Sequence, residues 1–191
     1  RRSLVDCASG AGLLDPASPA GVFQLIWENP VYGMTSWRVG PYSQVINLNE
    51  TAKVQVQPSE YGPLCQRVQY TLAFGQSTMK VTVCLNQGSD RLDYAVEVDW
   101  HEHGSKTNGI PQLGFSVPIA ASSALFRYAV PFGYLDRPAL EQDVPALGLA
   151  CALTSEKPGL ALLADCKYGF RGTSRGLYVD LMRGSYDQDP Y

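Results

Sequence analysis

The sequence lacks the long apolar run of a membrane-spanning helix and the clustered basic residues of a nucleic-acid-binding surface. A membrane helix needs about 20 consecutive apolar residues, and the hydrophobic 45% of this chain is too dispersed to form one. Charged residues make up 17% of the chain, the formal net charge is -3, and Lys and Arg are scattered. We therefore expect no membrane and no nucleic-acid partner, whereas a neutral ligand such as a sugar remains open.

Histidine is scarce, and no full set of metal ligands is evident. The only two histidines, His101 and His103, lie two apart and would project from the same side of a strand. A metal site needs a third and usually a fourth ligand, so we predict no metal in this chain. The segment is better interpreted as a strand end entering a polar loop, where His101 and Glu102 are hydrogen-bonded or face a partner.

Cysteines are few, and no C-x-x-C motif occurs. The chain has five, namely Cys7, Cys65, Cys84, Cys151 and Cys166. Their odd number and wide spacing predict neither a zinc cage nor a dense disulfide framework, so we expect reduced thiols and a cytoplasmic location. Cys84 and Cys151 fall in apolar, strand-like runs, where a cysteine is usually a small buried side chain without chemistry.

A complete catalytic set is also missing. Serine nucleophile elbows and phosphate-binding glycine loops do not occur. Asp93, Glu97 and Asp99 form an acidic row, and a pair of carboxylates is what a glycosidase needs. They alternate with apolar residues along a strand, so they share one face with Arg91 while the apolar residues lie on the other. We interpret this row as a solvated charged face and predict no catalytic residue in the chain.

What is abundant is hydrophobic alternation with a period of two, which is typical of strands with one face in a core. Residues 91–100 are the clearest case. Residues 68–74 and 79–85 alternate likewise and flank a turn at Gly75 and Gln76, so these three strands predict a meander. Further strands are predicted over residues 22–27, 44–48, 52–57, 113–119, 125–130, 146–153, 160–164 and 176–183.

This pattern predicts an all-β fold with little or no helix. The one helix-like stretch, residues 139–149, contains Pro145, which a helix interior tolerates poorly. About eleven strands predict two large antiparallel sheets packed as a sandwich, and the length suits a single domain over residues 1–191. Because the chain opens Arg-Arg-Ser without an initiator methionine, we expect it to be a piece of a longer, multidomain protein.

The segment from residue 160 to residue 183 has the layout of a binding site. An apolar run ends at Asp165, Lys167 and Tyr168 follow, residues 171–176 resemble a flexible loop rich in donors, and an alternating strand ends at Arg183. Carboxylates and guanidinium groups bind sugar hydroxyls, and aromatic faces pack on the C–H side of the ring. Taken alone, such a segment is more often simply a polar loop.

Five segments of the chain carry motifs that are specific in combination: residues 28–37, 91–102 (ending in Asp-Trp-His-Glu), 132–138, 160–169 and 176–183. Together they resemble the C-terminal β region of glycoside hydrolase family 38 α-mannosidases, particularly the cytosolic and bacterial type. The similarity covers most of the chain. One difference is that Met182 precedes Arg183 where other branches carry two arginines.

The resemblance implies a β-supersandwich of the galactose-mutarotase-like type, in an enzyme that hydrolyses terminal α-mannosides with retention. In that family the nucleophilic aspartate and the zinc ligands belong to an N-terminal catalytic domain. We therefore expect zinc to bind there, and this chain to be inactive alone, to pack on that domain and to line the mannoside pocket. The resemblance suggests a pocket role for Arg183, and we add Asp165, Lys167, Tyr168 and His101 as substrate-binding residues.

Other interpretations of the chain remain. It is alternatively a non-catalytic carbohydrate-binding module or a purely structural module. A third alternative, an independent mutarotase-like enzyme, needs a histidine and a carboxylate that face one cleft. Without its catalytic domain the chain would expose apolar surface, so we also expect it to self-associate.

Overall fold

The computed structural model describes residues 4–6, 9–10, 12–15, 17–19, 21–58, 60–119, 123, 125–153 and 159–187. Strands make up most of these residues, and their one helix is a single turn. The prediction of an all-β fold with little helix is confirmed. In chain order the elements are β1 Val22–Glu28, β2 Tyr42–Asn47, α1 Leu48–Thr51, β3 Lys53–Val56, β4 Glu60–Tyr61, β5 Cys65–Phe74, β6 Ser77–Asn86, β7 Leu92–Asp99, β8 Ile110–Pro118, β9 Leu125–Val130, β10 Gly133–Pro138, β11 Val144–Pro145, β12 Leu149–Leu153, β13 Ala161–Leu163, β14 Gly169–Thr173 and β15 Gly176–Arg183.

The strands form three antiparallel sheets in two layers. One layer is a six-stranded sheet in the order β11-β14-β15-β8-β1-β2. The opposite layer is divided between a four-stranded sheet, β10-β9-β12-β13, and a five-stranded sheet, β3-β5-β6-β7 with β4 beside β5. The sequence predicted two large sheets, and the structure differs in dividing the second. The alternating pattern shows which face of a strand is buried, but it does not show where hydrogen bonding between strands stops.

The core lies between the two layers, on the inward face of the six-stranded sheet. Phe115 of β8 packs on Tyr94 of the five-stranded sheet, with ring centroids 4.9 Å apart. Towards the other end of the layer, the backbone N–H of Gly172 in β14 donates to the Tyr128 hydroxyl of the four-stranded sheet at 2.8 Å. A Cβ atom at Gly172 would lie 2.2 Å from Phe126, so only glycine permits this close packing.

The predicted meander is confirmed. β5, β6 and β7 pair in sequence order, and the turn between β5 and β6 contains Gly75 with φ +51°. In β7 the side chains of Tyr94, Val96 and Val98 are partly buried, while Glu97 and Asp99 are exposed. The interpretation of the acidic row as a charged, solvent-facing surface therefore agrees with the structure.

Four short or edge strands were missed, namely β4, β10, β11 and β14. The most consequential error concerns residues 171–176, which are not a flexible loop. Residues 171–173 belong to β14, and Phe170 pairs with Val179 of β15. The glycines of β14 suggested a loop, but Gly172 is required there by packing. The helix-like residues 139–149 contain β11 and the start of β12, and Gly148, with φ +69°, separates these strands.

Candidate functional site at one end of the sandwich

Several chain segments meet at one end of the six-stranded sheet, which we call the Arg183 end. β1 ends there at Glu28, opposite Ile110 at the start of β8. β15 ends there at Arg183, opposite Gln112 of β8. β14 begins there at Gly169, because its next residue, Phe170, pairs with Val179 of β15. Antiparallel pairing thus brings the ends of β1 and β15 together with the starts of β8 and β14.

A buried ion pair between Glu28 and Arg183 lies at the centre of this end. Glu28 is fully buried, and the Arg183 side chain is 15% exposed. Arg183 Nε donates to Glu28 Oε1 at 2.6 Å and Nη2 donates to Oε2 at 2.9 Å. Such bidentate, charge-assisted pairs are among the strongest hydrogen-bonded contacts in proteins. The pair therefore joins β1 to β15, which are not adjacent in the sheet.

The same pair fixes residues 29–41, which we call the β1–β2 loop. Arg183 also donates to the backbone oxygens of Thr35 and Arg38, so four of its five N–H groups are used. Glu28 Oε2 accepts the Gly40 N–H at 2.9 Å. Asp187 adds two contacts to Thr35, one through its carboxylate and one through its backbone N–H. The loop is therefore held in one position by charged groups beneath it.

Although it is fixed, the β1–β2 loop exposes apolar side chains. Their exposed fractions range from 46% to 59%, and they belong to Val31, Tyr32, Met34, Trp37 and Val39. The Arg38 guanidinium lies over the Tyr32 ring at 4.6 Å. A contiguous exposed apolar patch with polar surroundings is typical of an interaction surface.

The turn that carries Asp165, Lys167 and Tyr168 lies beside this end. Asp165 and Tyr168 are exposed and Lys167 is half-buried. The turn precedes β14, and the Tyr168 carbonyl accepts the Ala146 N–H at 2.9 Å. A Cβ atom at Gly169 would lie 3.1 Å from Cβ of Asp180 in β15. The structure therefore places these three predicted binding residues near the last residues of β15.

His101 reaches the Arg183 end from the opposite layer. A Cβ atom at Gly184 would lie 3.1 Å from the Glu102 carbonyl oxygen and 3.4 Å from Nε1 of Trp100. His101 Nε2 lies 3.0 Å from Asp99 Oδ1, and both side chains are more than half exposed. All five predicted binding residues thus lie towards one end of the molecule.

A sequence profile described as Glycosyl hydrolases family 38 C-terminal domain matches residues 3–191. The chain belongs to this family. The predicted relationship to family 38 is confirmed, while the cytosolic or bacterial subtype stays a prediction. No curated protein matches the chain significantly.

In the described part of this family 38 C-terminal domain, no group of three or more His, Cys, Asp or Glu side chains is arranged to hold a metal ion. Glu102, which follows His101, is used within the protein, because its Oε1 accepts hydrogen bonds from the Ser77 hydroxyl at 2.9 Å and the Gln76 N–H at 2.8 Å.

None of the helices described here is long and apolar enough to cross a membrane.

A cluster of largely buried polar residues, which the sequence did not predict, lies on the outward face of the six-stranded sheet of this family 38 domain. We call it the outer-face cluster; its residues are Tyr42, Gln112, Asp143, Arg171, Tyr178 and Asp180. Arg171 bonds Asp143 at 3.0 Å, and its guanidinium lies 4.4 Å from the ring centroids of both Tyr42 and Tyr178. The Tyr42 hydroxyl donates to Asp143 Oδ2 at 2.6 Å.

The outer-face cluster is incompletely paired. Four of its buried polar atoms have no hydrogen-bond partner in the described residues, namely Gln112 Nε2 and Oε1, the Tyr178 hydroxyl oxygen and Asp180 Oδ1. Burial raises the pKa of Asp180 to about 7, the charges of Asp143 and Glu28 act in the same direction, and the charge of Arg183 opposes them. The sequence signal was a set of polar residues at alternate positions of apolar strands, such as Gln112 before Leu113 and Asp180 after Val179.

Proposed function

We propose that this chain is the C-terminal β-sandwich domain of a retaining α-mannosidase that hydrolyses terminal α-mannosides. In this proposal the Arg183 end packs on an N-terminal catalytic domain of the same enzyme and lines part of the sugar pocket. The supporting observation is that two sequence-distant segments, residues 165–183 and His101, lie towards the same end of the sandwich as a fixed loop with exposed apolar side chains. The resemblance to the cytosolic and bacterial type supports a cytoplasmic location.

The β1–β2 loop would supply the apolar part of the contact with the catalytic domain. Burying apolar surface contributes about 25 cal/mol per Å², and Trp37, Met34 and Tyr32 are among the largest exposed apolar side chains of the Arg183 end. Because the Glu28–Arg183 pair already holds the loop, little conformational entropy would be lost on docking. The same exposed patch supports self-association of the chain when the catalytic domain is absent.

The polar residues of the Arg183 end suit a sugar. The Asp165 carboxylate and the Lys167 ammonium group are suited to hydroxyls, and the Tyr168 ring presents an apolar face for the C–H side of a pyranose. His101 would contribute a ring nitrogen to sugar binding. Arg183 would contribute its fifth N–H group, because the other four hold the β1–β2 loop and Glu28. The nucleophile and the zinc ion are proposed to belong to the catalytic domain, so this chain contributes binding and no bond-breaking step.

Tyr168 provides the clearest test in the complete enzyme. Replacing Arg183 would also release the β1–β2 loop, so its effect would mix fold and pocket. We expect Tyr168→Ala to lower kcat/KM for an α-mannoside by about 5- to 150-fold, equivalent to about 1–3 kcal/mol of transition-state binding. The matched control is Tyr61→Ala, because Tyr61 is 76% exposed and lies on β4, at the other end of the five-stranded sheet. Equal kcat/KM for the two variants would contradict the pocket role.

One observation favours a purely structural module as the second candidate. Arg183 donates four of its N–H groups to Glu28, Thr35 and Arg38, as an arginine with a structural role does. In that case Tyr168→Ala and Asp165→Ala would both leave kcat and KM at the wild-type values, while Arg183→Ala would lower only the stability of the enzyme.

A further inference from the structure

Cys65 and Cys84 lie next to each other on the outward face of the five-stranded sheet. In the pairing of β5 with β6, Cys84 is opposite Arg67 and Cys65 is opposite Asn86, so the two cysteines are diagonal neighbours. Burial alternates along β6 from Ser77 to the fully buried Val81, and an odd number of residues from Val81 places the half-buried Cys84 on the opposite face. The interpretation of Cys84 as a small buried side chain is therefore wrong, because its place in the strand directs it outward and leaves it half-buried.

The two sulfur atoms are 2.8 Å apart. A disulfide bond is about 2.05 Å long, so closing the bond requires the sulfurs to approach by less than about 1 Å. Cys65 Sγ is also near the Gln66 carbonyl and Cys84 Sγ near the Asn86 side chain, both at 3.7 Å. Strand pairing over the length of β5 and β6 holds the cysteines in this relationship.

Small molecules can reach the pair. Cys84 lines a surface groove of about 500 Å³ together with Gln57, Arg67, Gln69, Thr82 and Asp93. The groove opens on the outward face, away from the core and from the Arg183 end. We propose that Cys65 and Cys84 are a redox-active dithiol, which a low-molecular-weight disulfide such as oxidised glutathione converts to an intramolecular disulfide between β5 and β6.

The reaction is an ordinary pair of thiol–disulfide exchanges. One cysteine thiolate attacks a sulfur of oxidised glutathione, forms a mixed disulfide and releases one glutathione thiolate. The second cysteine thiolate then attacks the protein sulfur of that mixed disulfide, forms the Cys65–Cys84 bond and releases the second glutathione. The protein loses two electrons and two protons, and oxidised glutathione takes them up to become two molecules of reduced glutathione.

The local electrostatics give the reaction a pH dependence. The pKa of the Cys65 thiol is raised, chiefly because its hydrogen bond with Cys84 favours the protonated form. Exchange needs the thiolate, so the rate of disulfide formation should rise with pH into the alkaline range. The disulfide would join the two strands of a hairpin remote from the Arg183 end, so this proposal does not rest on the mannosidase proposal.

The test is to incubate the reduced chain with oxidised glutathione, block remaining thiols by alkylation, and digest with trypsin without reduction. Cleavage after Lys53, Arg67, Lys80 and Arg91 gives peptides 54–67 and 81–91. We expect these two peptides to appear joined, with a mass two hydrogens below the sum of the reduced peptides. Dithiothreitol should separate them.

Variants show whether the link is specific. Cys65→Ser and Cys84→Ser should each abolish the joined peptide, whereas Cys166→Ser, at an exposed cysteine, should leave its yield unchanged. Three outcomes would overturn the proposal: both peptides stay alkylated at every glutathione ratio, both carry glutathione without joining, or they join to other cysteines instead.

Discussion

Replacing Arg183 with alanine is expected to lower the free energy of unfolding by about 3–5 kcal/mol, because Glu28 would remain fully buried without its partner. Among the described residues, the Gly40 N–H would then be the only remaining hydrogen-bond donor to the buried carboxylate. The β1–β2 loop would also lose the bonds that Arg183 donates to Thr35 and Arg38. Urea unfolding of the chain, followed by tryptophan fluorescence, measures this loss.

The chain offers a matched control for that prediction. Arg127 also forms a bidentate pair, with Asp136 at 2.7 and 2.8 Å, but this pair is 44% and 37% exposed. An exposed pair contributes about 0–1 kcal/mol, so Arg127→Ala should have little effect. Adding Glu28→Gln to Arg183→Ala should restore part of the loss, because it removes the buried charge. Equal losses for Arg183→Ala and Arg127→Ala would show that the buried pair is not what stabilises this end.

Replacing Asp180 with asparagine is expected to stabilise the chain above pH 7 and to have little effect near pH 4. The pKa of Asp180 is raised to about 7 in the folded protein from an ordinary value of 3.8. The folded state therefore holds a proton that the unfolded state has lost between these two pH values. The contribution of the protonated Asp180 carboxyl to the free energy of unfolding is complete below about pH 4. It is lost as the pH rises through about 7.

The difference of about three pKa units corresponds to at most about 4 kcal/mol. Burial is the main cause of the raised pKa of Asp180, and the charged groups that act on it are Asp143, Glu28 and Arg183. Asparagine is neutral at every pH, and the unpaired Gln112 Oε1 is an available acceptor for its amide.

Urea unfolding of wild type and Asp180→Asn at pH 5, 6, 7 and 8 tests this directly. Other carboxyl groups also make stability depend on pH, because the pKa values of Asp15, Asp136 and Asp187 are lowered. Their effects on the free energy of unfolding are the same in both chains and cancel in the comparison. We expect the advantage of the asparagine variant to grow as the pH rises towards 7 and then to level off. An advantage that is the same at all four pH values would exclude Asp180 as the titrating group.

The sequence predicted most of the strands because their burial follows a local pattern. The alternation in β7 and the meander of β5, β6 and β7 depend only on which face of a strand lies in the core. β10 was missed because Gly133–Pro138 does not alternate and is exposed, so pairing with β9 determines its structure.

The contacts at the Arg183 end could not be predicted from the sequence, because they join residues that are distant along the chain. Glu28 and Arg183 are separated by 155 positions, and Tyr42 and Arg171 by 129. Arg171 was assigned to a loop because Gly169 and Gly172 flank it, yet it lies in a strand and pairs with Asp143. Local sequence shows the polar residue types but not the partners that bury them. The Asp165–Tyr168 turn was found because an apolar strand ends immediately before it.

The central claim is that the Arg183 end faces a catalytic domain, and hydrogen exchange tests it most directly. The chain alone, at a concentration at which light scattering shows a monomer, should be compared with the complete enzyme. Docking should slow amide exchange in residues 29–41 and 165–168, and leave residues 60–67 and 82–86, at the other end of the five-stranded sheet, unchanged. Equal exchange of residues 29–41 in both proteins, or new protection only in residues 60–67 and 82–86, would contradict the claim.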